Sequence, residues 1–183
     1  TRLQGHPTTA EGLPGVRVAS GSLGQGLSVA VGVAQAKKLA NDNHLVYVLM
    51  GDGEQEEGQI WEAAMYAPAK NVDNIVAIVD YNKKQIDGPT DDVLSLGDLR
   101  AKYESFGWKV WECNGNDMQE LVDTFNKIRE NAHKGQSQIL LAHTEMGMGV
   151  DFMMGTHKWH GVAPNDEQAA NALSQLKETL GDY

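Results

Sequence analysis

Two short apolar segments, each followed at once by polar residues, place the strongest constraint on how this chain can fold. The first covers residues 44–50 and leads into a Gly-Asp-Gly turn centred on Asp52, and the second covers residues 75–79 and leads to Asn82. An amphipathic segment lies between them, so the pattern predicts strand, turn, helix and strand. If the strands are parallel neighbours, Asp52 and Asn82 lie at one carboxyl edge of a sheet, where open α/β sheets bind ligands.

The residues at this predicted edge suit a hard metal cation and a diphosphate. Magnesium takes oxygen ligands, usually one or two carboxylates together with the phosphates of a bound ligand. Asp52 offers a charged oxygen and Asn82 a neutral one, while Gly51 and Gly53 let the backbone approach a ligand. The N-terminus of the following helix favours an anion. The commoner alternative is a simple turn with an aspartate cap, but Asn82 at the next strand end favours the ligand site.

Composition indicates an ordinary globular protein. The 183 residues suffice for one domain with a real core, and 41% of them are hydrophobic and 22% charged. The apolar segments have strand length, well below the roughly 20 residues needed to cross a bilayer, so no membrane is expected. A formal charge of −10 argues against a nucleic-acid partner. The single cysteine, Cys113, excludes an internal disulfide and is compatible with the cytosol.

Strand and helix patterns continue to alternate through the rest of the chain. Residues 108–112 and 138–142 have strand character, and helical periodicity covers residues 98–106 and 117–132. A further surface helix is expected from Asn165 onward. The alternation predicts an α/β fold, with a mostly parallel sheet and helices on both faces.

Three predicted helices carry apolar stripes. The first follows Gly21, with Ser22 as a candidate cap, and the second runs from Gln55 to Ala67 and stops at Pro68. The stripes consist of Leu27, Ala30, Val31, Ala34 and Leu39 in the first helix, Ile60, Ala63, Ala64 and Ala67 in the second, and Met118, Leu121, Val122, Phe125 and Ile128 in the helix at 117–132. Residues 1–20 are rich in Gly, Pro and Thr and are expected to form a loop.

The Gly-Asp-Gly triplet, followed after 28 residues by Asn82, resembles the thiamine diphosphate-binding motif. The flanking sequence is similar to transketolases, especially those split over two chains, from Gly5-His6-Pro7 to Trp159-His160-Gly161. The resemblance implies a thiamine diphosphate-binding fold, of which this chain is the diphosphate-binding half. It also implies a magnesium ion on the diphosphate, held by the side chains of Asp52 and Asn82 and by the backbone carbonyl of Lys84.

The resemblance assigns further residues to the cofactor and the reaction. The loop G-S-L-G-Q-G is similar to the family's G-P-L-G-Q-G, whose backbone contacts the aminopyrimidine side of the cofactor. The implied cofactor-binding residues are Gly21, Leu23, Gly51, Gly53, Glu54 and Ile86. The histidines implied in catalysis are His6, His160 and, as a second choice, His157. The residues alone also allow His6 as an ordinary loop histidine, Ile86 as a core residue, and His157 with His160 as a zinc pair that lacks further ligands at suitable spacing.

Several positions depart from the family pattern. Lys84 replaces a residue that is usually apolar, although its backbone oxygen remains the implied ligand. His143, Glu145, Met146 and Met148 stand where many split transketolases carry lysines, and this loss of positive charge bears on phosphate and substrate contacts. Glu57 matches a family glutamate near the subunit interface, so an interface role for it is a hypothesis.

The function implied by the resemblance is transfer of a two-carbon ketol unit between sugar phosphates, with the cofactor as electron sink. Because the family also needs a glutamate from a pyrimidine-binding domain, we expect a C-terminal transketolase subunit as partner, in a dimer or heterotetramer. The chain alone should bind the cofactor weakly and turn over nothing. Compared with the family it lacks an N-terminal helical segment, so residues 1–183 are expected to be one shortened domain. The expected location is the cytoplasm.

Two other functions stay open on the sequence. A second thiamine diphosphate enzyme component, such as a 1-deoxyxylulose-phosphate synthase or a 2-oxoacid dehydrogenase type, shares the metal motif. A non-catalytic remnant that only binds a partner would explain the short N-terminus and the missing lysines. The G-S-L-G-Q-G loop and the segment Gln85-Ile86-Asp87-Gly88 favour the transketolase.

Overall fold

Six strands and six helices form the regular structure of residues 5–177, the part of the chain that the computed structural model describes. The strands are β1 (Val46–Gly51), β2 (Ile75–Tyr81), β3 (Lys84–Gln85), β4 (Gly88–Pro89), β5 (Lys109–Asn114) and β6 (Gln138–His143). The helices are α1 (Gln25–Leu39), α2 (Gly58–Ala69), α3 (Thr90–Leu94), α4 (Leu99–Phe106), α5 (Met118–Glu130) and α6 (Asp166–Gln175). One 3₁₀ turn, Gly53–Glu56, lies between β1 and α2.

The four longer strands form one parallel sheet in the order β1-β2-β6-β5. In its register Val46 pairs with Ile75, and Val76 pairs with Gln138. Most apolar residues of the two central strands, β2 and β6, are buried because both faces of the sheet are covered there. The predicted α/β fold with a parallel sheet is confirmed.

Helices cover both faces of this sheet. On one face α1, α2 and α4 pack over Ile75, Ala77 and Val79 of β2 in the larger core cluster. On the other face α5 packs through Ile128 in a cluster with Val76 of β2. Each large aliphatic side chain buried in these layers stabilises the fold by about 1.5–3 kcal/mol relative to exposure. The prediction of helices on both faces is therefore confirmed.

The first helix begins later than its sequence pattern indicated. α1 starts at Gln25 and its N-cap is Gly24, whose φ of 81° lies in the left-handed region, so the prediction of Ser22 as cap was wrong. The stripe from Leu27 to Ala34 is buried as predicted, but Leu39 is 86% exposed. Leu39 follows Ala34 by five residues, which is roughly 140° around a helix, so it faces away from the sheet.

The second predicted helix is divided in two. Its acidic start forms the 3₁₀ turn, and α2 begins only at Gly58 because Glu57 has an extended conformation with ψ of 129°. The residues of its predicted stripe are all buried. Pro68 lies in the last turn of α2 instead of ending the helix before it.

The buried face of α5 is narrower than its predicted stripe. Met118 and Val122 are 72% and 46% exposed. At 100° per residue, Val122 lies roughly 120° around the helix from the buried Ile128. The prediction that Met118 and Val122 belong to the buried stripe was therefore wrong.

The surface helix predicted near the end of the described chain is present as α6. Asn165 caps it, accepting a hydrogen bond from the Gln168 N–H at 2.8 Å, and Gln168 completes a capping box. The β3–β4 hairpin and α3 were not predicted, because elements of two to five residues carry no periodicity. Residues 5–20 form turns, as expected for a loop. Within residues 5–177 no helix combines the length and apolar character that a membrane span requires.

Replacing Gly24 by alanine should destabilise the fold, because its left-handed φ strains alanine and the added Cβ would lie 2.9 Å from Gln59 Nε2 and from Glu57 Cβ. We expect the free energy of unfolding, measured by urea denaturation, to fall by about 1–3 kcal/mol. Gly32→Ala is the matched control within α1. A Cβ there meets nothing within 4 Å, so the free energy of unfolding should rise by about 0.5–1 kcal/mol. Wild-type stability in Gly24→Ala would contradict this account of the cap.

Candidate functional site

Two polar side chains follow neighbouring strands at the carboxyl edge of the sheet. β1 and β2 are parallel and Gly51 pairs with Asp80, so Asp52 and Asn82 lie at the same edge, as the strand pattern predicted. Both line one cavity of about 530 Å³. The full lining comprises Leu23, Gly51, Asp52, Gly53, Glu54, Asp80, Asn82, Lys84, Gln85, Ile86, Asn116, Thr144, Glu145, Met146, Gly147 and His160.

Asp52 is almost fully buried and its carboxylate joins the two strand ends. One oxygen, Oδ1, accepts a hydrogen bond from the Gly53 N–H at 2.8 Å, and the other accepts one from the Lys83 N–H at the end of β2. Burial raises the pKa of Asp52, as does the nearby Asp80, while the two N–H donors act in the opposite direction. Burial therefore disfavours the negative charge, and a cation in the cavity would stabilise it.

Asn82 begins the turn that leads from β2 into the β3–β4 hairpin. Its Oδ1 accepts a hydrogen bond from the Lys84 N–H at 2.9 Å, and Lys83 between them has a φ of 60°, in the left-handed region. The Lys84 ammonium lies 3.2 Å from Glu145 Oε1. The hairpin is thereby tied to the segment that follows β6.

Glu54 connects two glycine-containing loops of the site. Its Oε1 accepts a hydrogen bond from the Gly24 N–H at 2.8 Å, and its Oε2 accepts one from the Gly51 N–H at 3.1 Å. Both carboxylate oxygens are therefore bound to the protein's own backbone. The start of α1 and the end of β1 are held together by this one side chain.

A second side chain of the same turn binds the other backbone group of Gly51. Gln55 is fully buried, and its Nε2 donates to the Gly51 carbonyl oxygen at 2.9 Å. The Tyr103 hydroxyl of α4 donates to Gln55 Oε1 at 2.5 Å. Sequence reasoning missed this pair, although a glutamine next to the turn and a tyrosine on the buried stripe of α4 are polar groups that need partners.

Gly53 lies where only a glycine fits without rearrangement. A Cβ at this position would lie 2.7 Å from Gln85 Oε1 and 3.0 Å from Gln85 Cβ. The close approach of Gln85 to Gly53 lets the β3–β4 hairpin pack against the turn that carries Asp52.

Three residues assigned by the resemblance lie outside the lining of this cavity. Gly21 lines a separate opening of about 610 Å³ at the start of α1, and His6 packs against Gly21, with Cδ2 3.1 Å from where a Cβ would stand. The third residue is His157, whose backbone carbonyl oxygen accepts a hydrogen bond from the His160 N–H at 2.9 Å. The cavity lining includes His160 and all the other predicted site residues.

The charge of the cavity suits a divalent cation better than a bare anion. Asp52, Glu54, Asp80 and Glu145 contribute carboxylates to the lining, and Lys84 contributes an ammonium. This charge opposes a diphosphate alone, whereas a divalent cation would neutralise part of it and bridge to the anion. Carboxylate, amide and backbone oxygens are the donors that magnesium takes, so the residues present fit that ion.

Side chains of His, Cys, Asp and Glu do not form a complete metal site by themselves. Within residues 5–177 no three or more of them are grouped so that they could hold a metal ion. A cation here would therefore depend on amide, backbone and ligand oxygens as well. The zinc interpretation of His157 with His160 gains no third ligand of these types in the described chain.

Comparison with known protein families gives one match that spans nearly the whole sequence. The family described as "Transketolase, thiamine diphosphate binding domain" matches residues 1–181. Among curated proteins, the chain is 44% identical over 178 residues to an apulose-4-phosphate transketolase subunit of Phocaeicola vulgatus, covering 97% of this chain and 62% of that protein. It is 37% identical over 164 residues to "6-deoxy-6-sulfo-D-fructose transketolase subunit SqwG" of Clostridium sp., covering 90% and 59%. The chain thus spans about three fifths of the length of these relatives.

Two solved transketolase structures have the same architecture as this chain. The transketolase of Campylobacter jejuni superposes with a TM-score of 0.80 and 31% identity, covering 88% of this chain and 26% of that one. The transketolase of Pichia stipitis in complex with sedoheptulose-7-phosphate gives a TM-score of 0.82 and 27% identity, covering 95% and 27%.

Removing the charge of Glu145 should reveal a pH-dependent contribution to stability. The Gly155 N–H, and after it the Lys84 ammonium, lower the pKa of Glu145 below its ordinary value of 4.5. The ionised form is thus favoured by folding, so this stability is present above pH 4.5 and is lost as the pH falls below it. We expect Glu145→Gln to lower the free energy of unfolding at pH 7 by about 0.5 kcal/mol, a small value because the side chain is partly exposed.

The measurement is urea denaturation of both proteins between pH 7 and pH 3. The difference between them should shrink below pH 4.5, where the wild-type carboxylate becomes protonated. A difference that stays constant across this range would contradict the assignment.

Proposed function

Since the chain belongs to the transketolase family, as a member of its thiamine diphosphate-binding domain, we propose that it is the diphosphate-binding subunit of a transketolase split over two chains. The reaction is transfer of a two-carbon ketol unit between sugar phosphates. One observation carries the proposal: Asp52 and Asn82 lie at adjacent strand ends and line one cavity with Gly51 and Gly53. Oxygen donors beside glycines at this edge suit a cation that bridges to a diphosphate.

The proposed metal ligands are the side chains of Asp52 and Asn82 and the backbone carbonyl of Lys84. Asp52 is preorganised for this role, because its carboxylate is already fixed by the N–H groups of Gly53 and Lys83. Its buried charge is the strongest reason for a cation to bind, since the ion would offset the cost of burial.

Thiamine diphosphate would be held on the glycine turn, with Leu23 and Ile86 at its rings. Ile86 is 66% exposed and Leu23 57% exposed, so both present apolar surface at the cavity. When bound, the cofactor supplies the electron sink for cleavage and formation of a carbon–carbon bond. Among the proposed catalytic histidines, His160 lines the cavity and can exchange a proton there, while His6 and His157 lie outside its lining.

A partner chain with a pyrimidine-binding domain belongs to this proposal. Several relatives of this chain are named as subunits of their transketolases, and the chain spans about three fifths of their length. Leu23 and Ile86 expose apolar surface at the cavity, and a second subunit would cover them together with the cofactor. The assembly would be a hetero-oligomer with sugar phosphates as substrates, and a cytoplasmic location stays a prediction from the sequence.

Removal of the Asp52 carboxylate should weaken metal-dependent cofactor binding. Isothermal titration calorimetry with thiamine diphosphate and MgCl₂, with and without a candidate pyrimidine-domain partner, measures this directly. We expect Asp52→Ala to weaken binding at least about 10-fold, because the remaining proposed ligands are neutral and cannot replace its charge. Asp123→Ala is the matched control, since Asp123 is exposed on α5, where its carboxylate accepts a hydrogen bond from Gln119 of the same helix.

Each outcome separates the candidate functions. Unchanged, magnesium-dependent binding by Asp52→Ala would show that the metal is held elsewhere. Absence of binding in the wild type with every partner would favour a non-catalytic role in assembly. Binding followed by turnover of a 2-oxoacid instead of a ketose phosphate would indicate another enzyme of the thiamine diphosphate class.

Removal of the Lys84 ammonium should spare the metal site. The proposed ligand is the backbone carbonyl of Lys84, and its ammonium pairs with Glu145 instead. We expect Lys84→Met to retain magnesium-dependent affinity within about threefold, an effect below about 1 kcal/mol, while Asn82→Ala loses it. A loss in Lys84→Met as large as that in Asn82→Ala would show that the ammonium itself contacts the diphosphate.

A further inference from the structure

Two buried hydrogen bonds connect helix α4 to the residue before Asp52. The Tyr103 hydroxyl donates to Gln55 Oε1 at 2.5 Å, and Gln55 Nε2 donates to the Gly51 carbonyl oxygen at 2.9 Å. Gln55 and Tyr103 are both 0% exposed. Because bulk water cannot reach these side chains to replace a lost partner, the three groups depend on one another.

The other backbone group of Gly51 is held by the neighbouring residue of the same turn. Glu54 Oε2 accepts a hydrogen bond from the Gly51 N–H at 3.1 Å. Successive side chains of the 3₁₀ turn thus bind the N–H and the carbonyl of the residue that precedes Asp52. The turn folds back on the end of β1, and the Gly51–Asp52 peptide is fixed between these contacts.

We propose that Gln55 and Tyr103 are positioning residues that set the conformation of Asp52 from within the core. The Tyr103 hydroxyl can only bond the oxygen end of the Gln55 amide when it donates, so it directs the amide nitrogen toward the Gly51 carbonyl. Without that hydroxyl Gln55 Oε1 loses its hydrogen-bond donor, and the amide keeps the contacts of its nitrogen, to the Gly51 carbonyl oxygen at 2.9 Å and to the Met50 sulfur at 3.9 Å. An amide held at one end fixes the Gly51 carbonyl less firmly, and the peptide that carries Asp52 would gain freedom.

That the positioned Asp52 holds a cation rests on the proposed function. The positioning itself can be measured in the chain without any ligand. Hydrogen–deuterium exchange of the backbone amides at residues 51–56 measures it. Tyr103→Phe removes one oxygen atom from the core and should accelerate exchange in this segment about 10-fold. Affinity for thiamine diphosphate with magnesium should fall by a similar factor, as when groups that support metal ligands are removed.

A double variant separates positioning from simple stabilisation. Gln55→Leu alone leaves both the Tyr103 hydroxyl and the Gly51 carbonyl without their partner, whereas Gln55→Leu combined with Tyr103→Phe leaves only the Gly51 carbonyl and should therefore cost less stability. We expect the melting temperature to recover relative to Gln55→Leu, while exchange at residues 51–56 stays fast and the affinity stays low. Should Gln55→Leu fail to fold, Tyr103→Phe alone still carries the test.

Ser137→Ala is the control for loss of a buried hydrogen bond elsewhere. The Ser137 hydroxyl donates to the Val72 carbonyl oxygen at 2.8 Å, near the amino-terminal ends of β6 and β2, at the other end of the strands from Asp52. This variant should lower the melting temperature without changing exchange at residues 51–56. The inference is overturned if Tyr103→Phe behaves in the same way. If exchange accelerates but the wild type binds no thiamine diphosphate with magnesium, the positioning stands and the proposed function falls.

Discussion

The hydrogen bond from the Lys83 N–H to the Asp52 carboxylate joins the ends of β1 and β2, and the arrangement of the site depends on it. It fixes the distance between the Gly-Asp-Gly turn and the hairpin that carries Lys84 and Ile86. The same carboxylate is buried and its pKa is raised by that burial, so the charge is costly to the fold. In the proposed function, a bound cation would offset this cost.

The sequence predicted the positions of Asp52 and Asn82 because local pattern and sheet geometry are enough to place them. Two apolar segments of strand length are joined by an amphipathic helix. When such strands are parallel neighbours connected by a right-handed crossover, the residues that follow them, Asp52 and Asn82, lie at the same edge of the sheet. Long-range contacts were beyond such reasoning. Nothing in the spacing of Gln55 and Tyr103 indicates that they meet, because their contact depends on how α4 packs against the turn after β1.

Errors in the helices have a related cause. Leu39 and Val122 are apolar residues near the helical spacing of their stripes, but the angle at which each helix packs on the sheet decides which positions are covered. Short elements such as the β3–β4 hairpin are fixed by the turn after Asn82 and by contact with Gly53, neither of which produces a period in the sequence. The fold class was therefore accessible from pattern, and the exact burial was not.

Parallel pairing in this sheet also has a consequence for the order of folding. β1, α2 and β2 are contiguous in the chain, so the edge that carries Asp52 and Asn82 can assemble from local contacts during synthesis. β2 can pair with β6 only later, because Val76 pairs with Gln138 and the chain between them must first be synthesised and close a long loop. The flank of β2 that β6 later covers is meanwhile an open ladder of N–H and carbonyl groups. A nascent chain paused before residue 138 would therefore expose an unpaired strand beside the edge that carries Asp52 and Asn82, a state that is prone to aggregation and that chaperones protect.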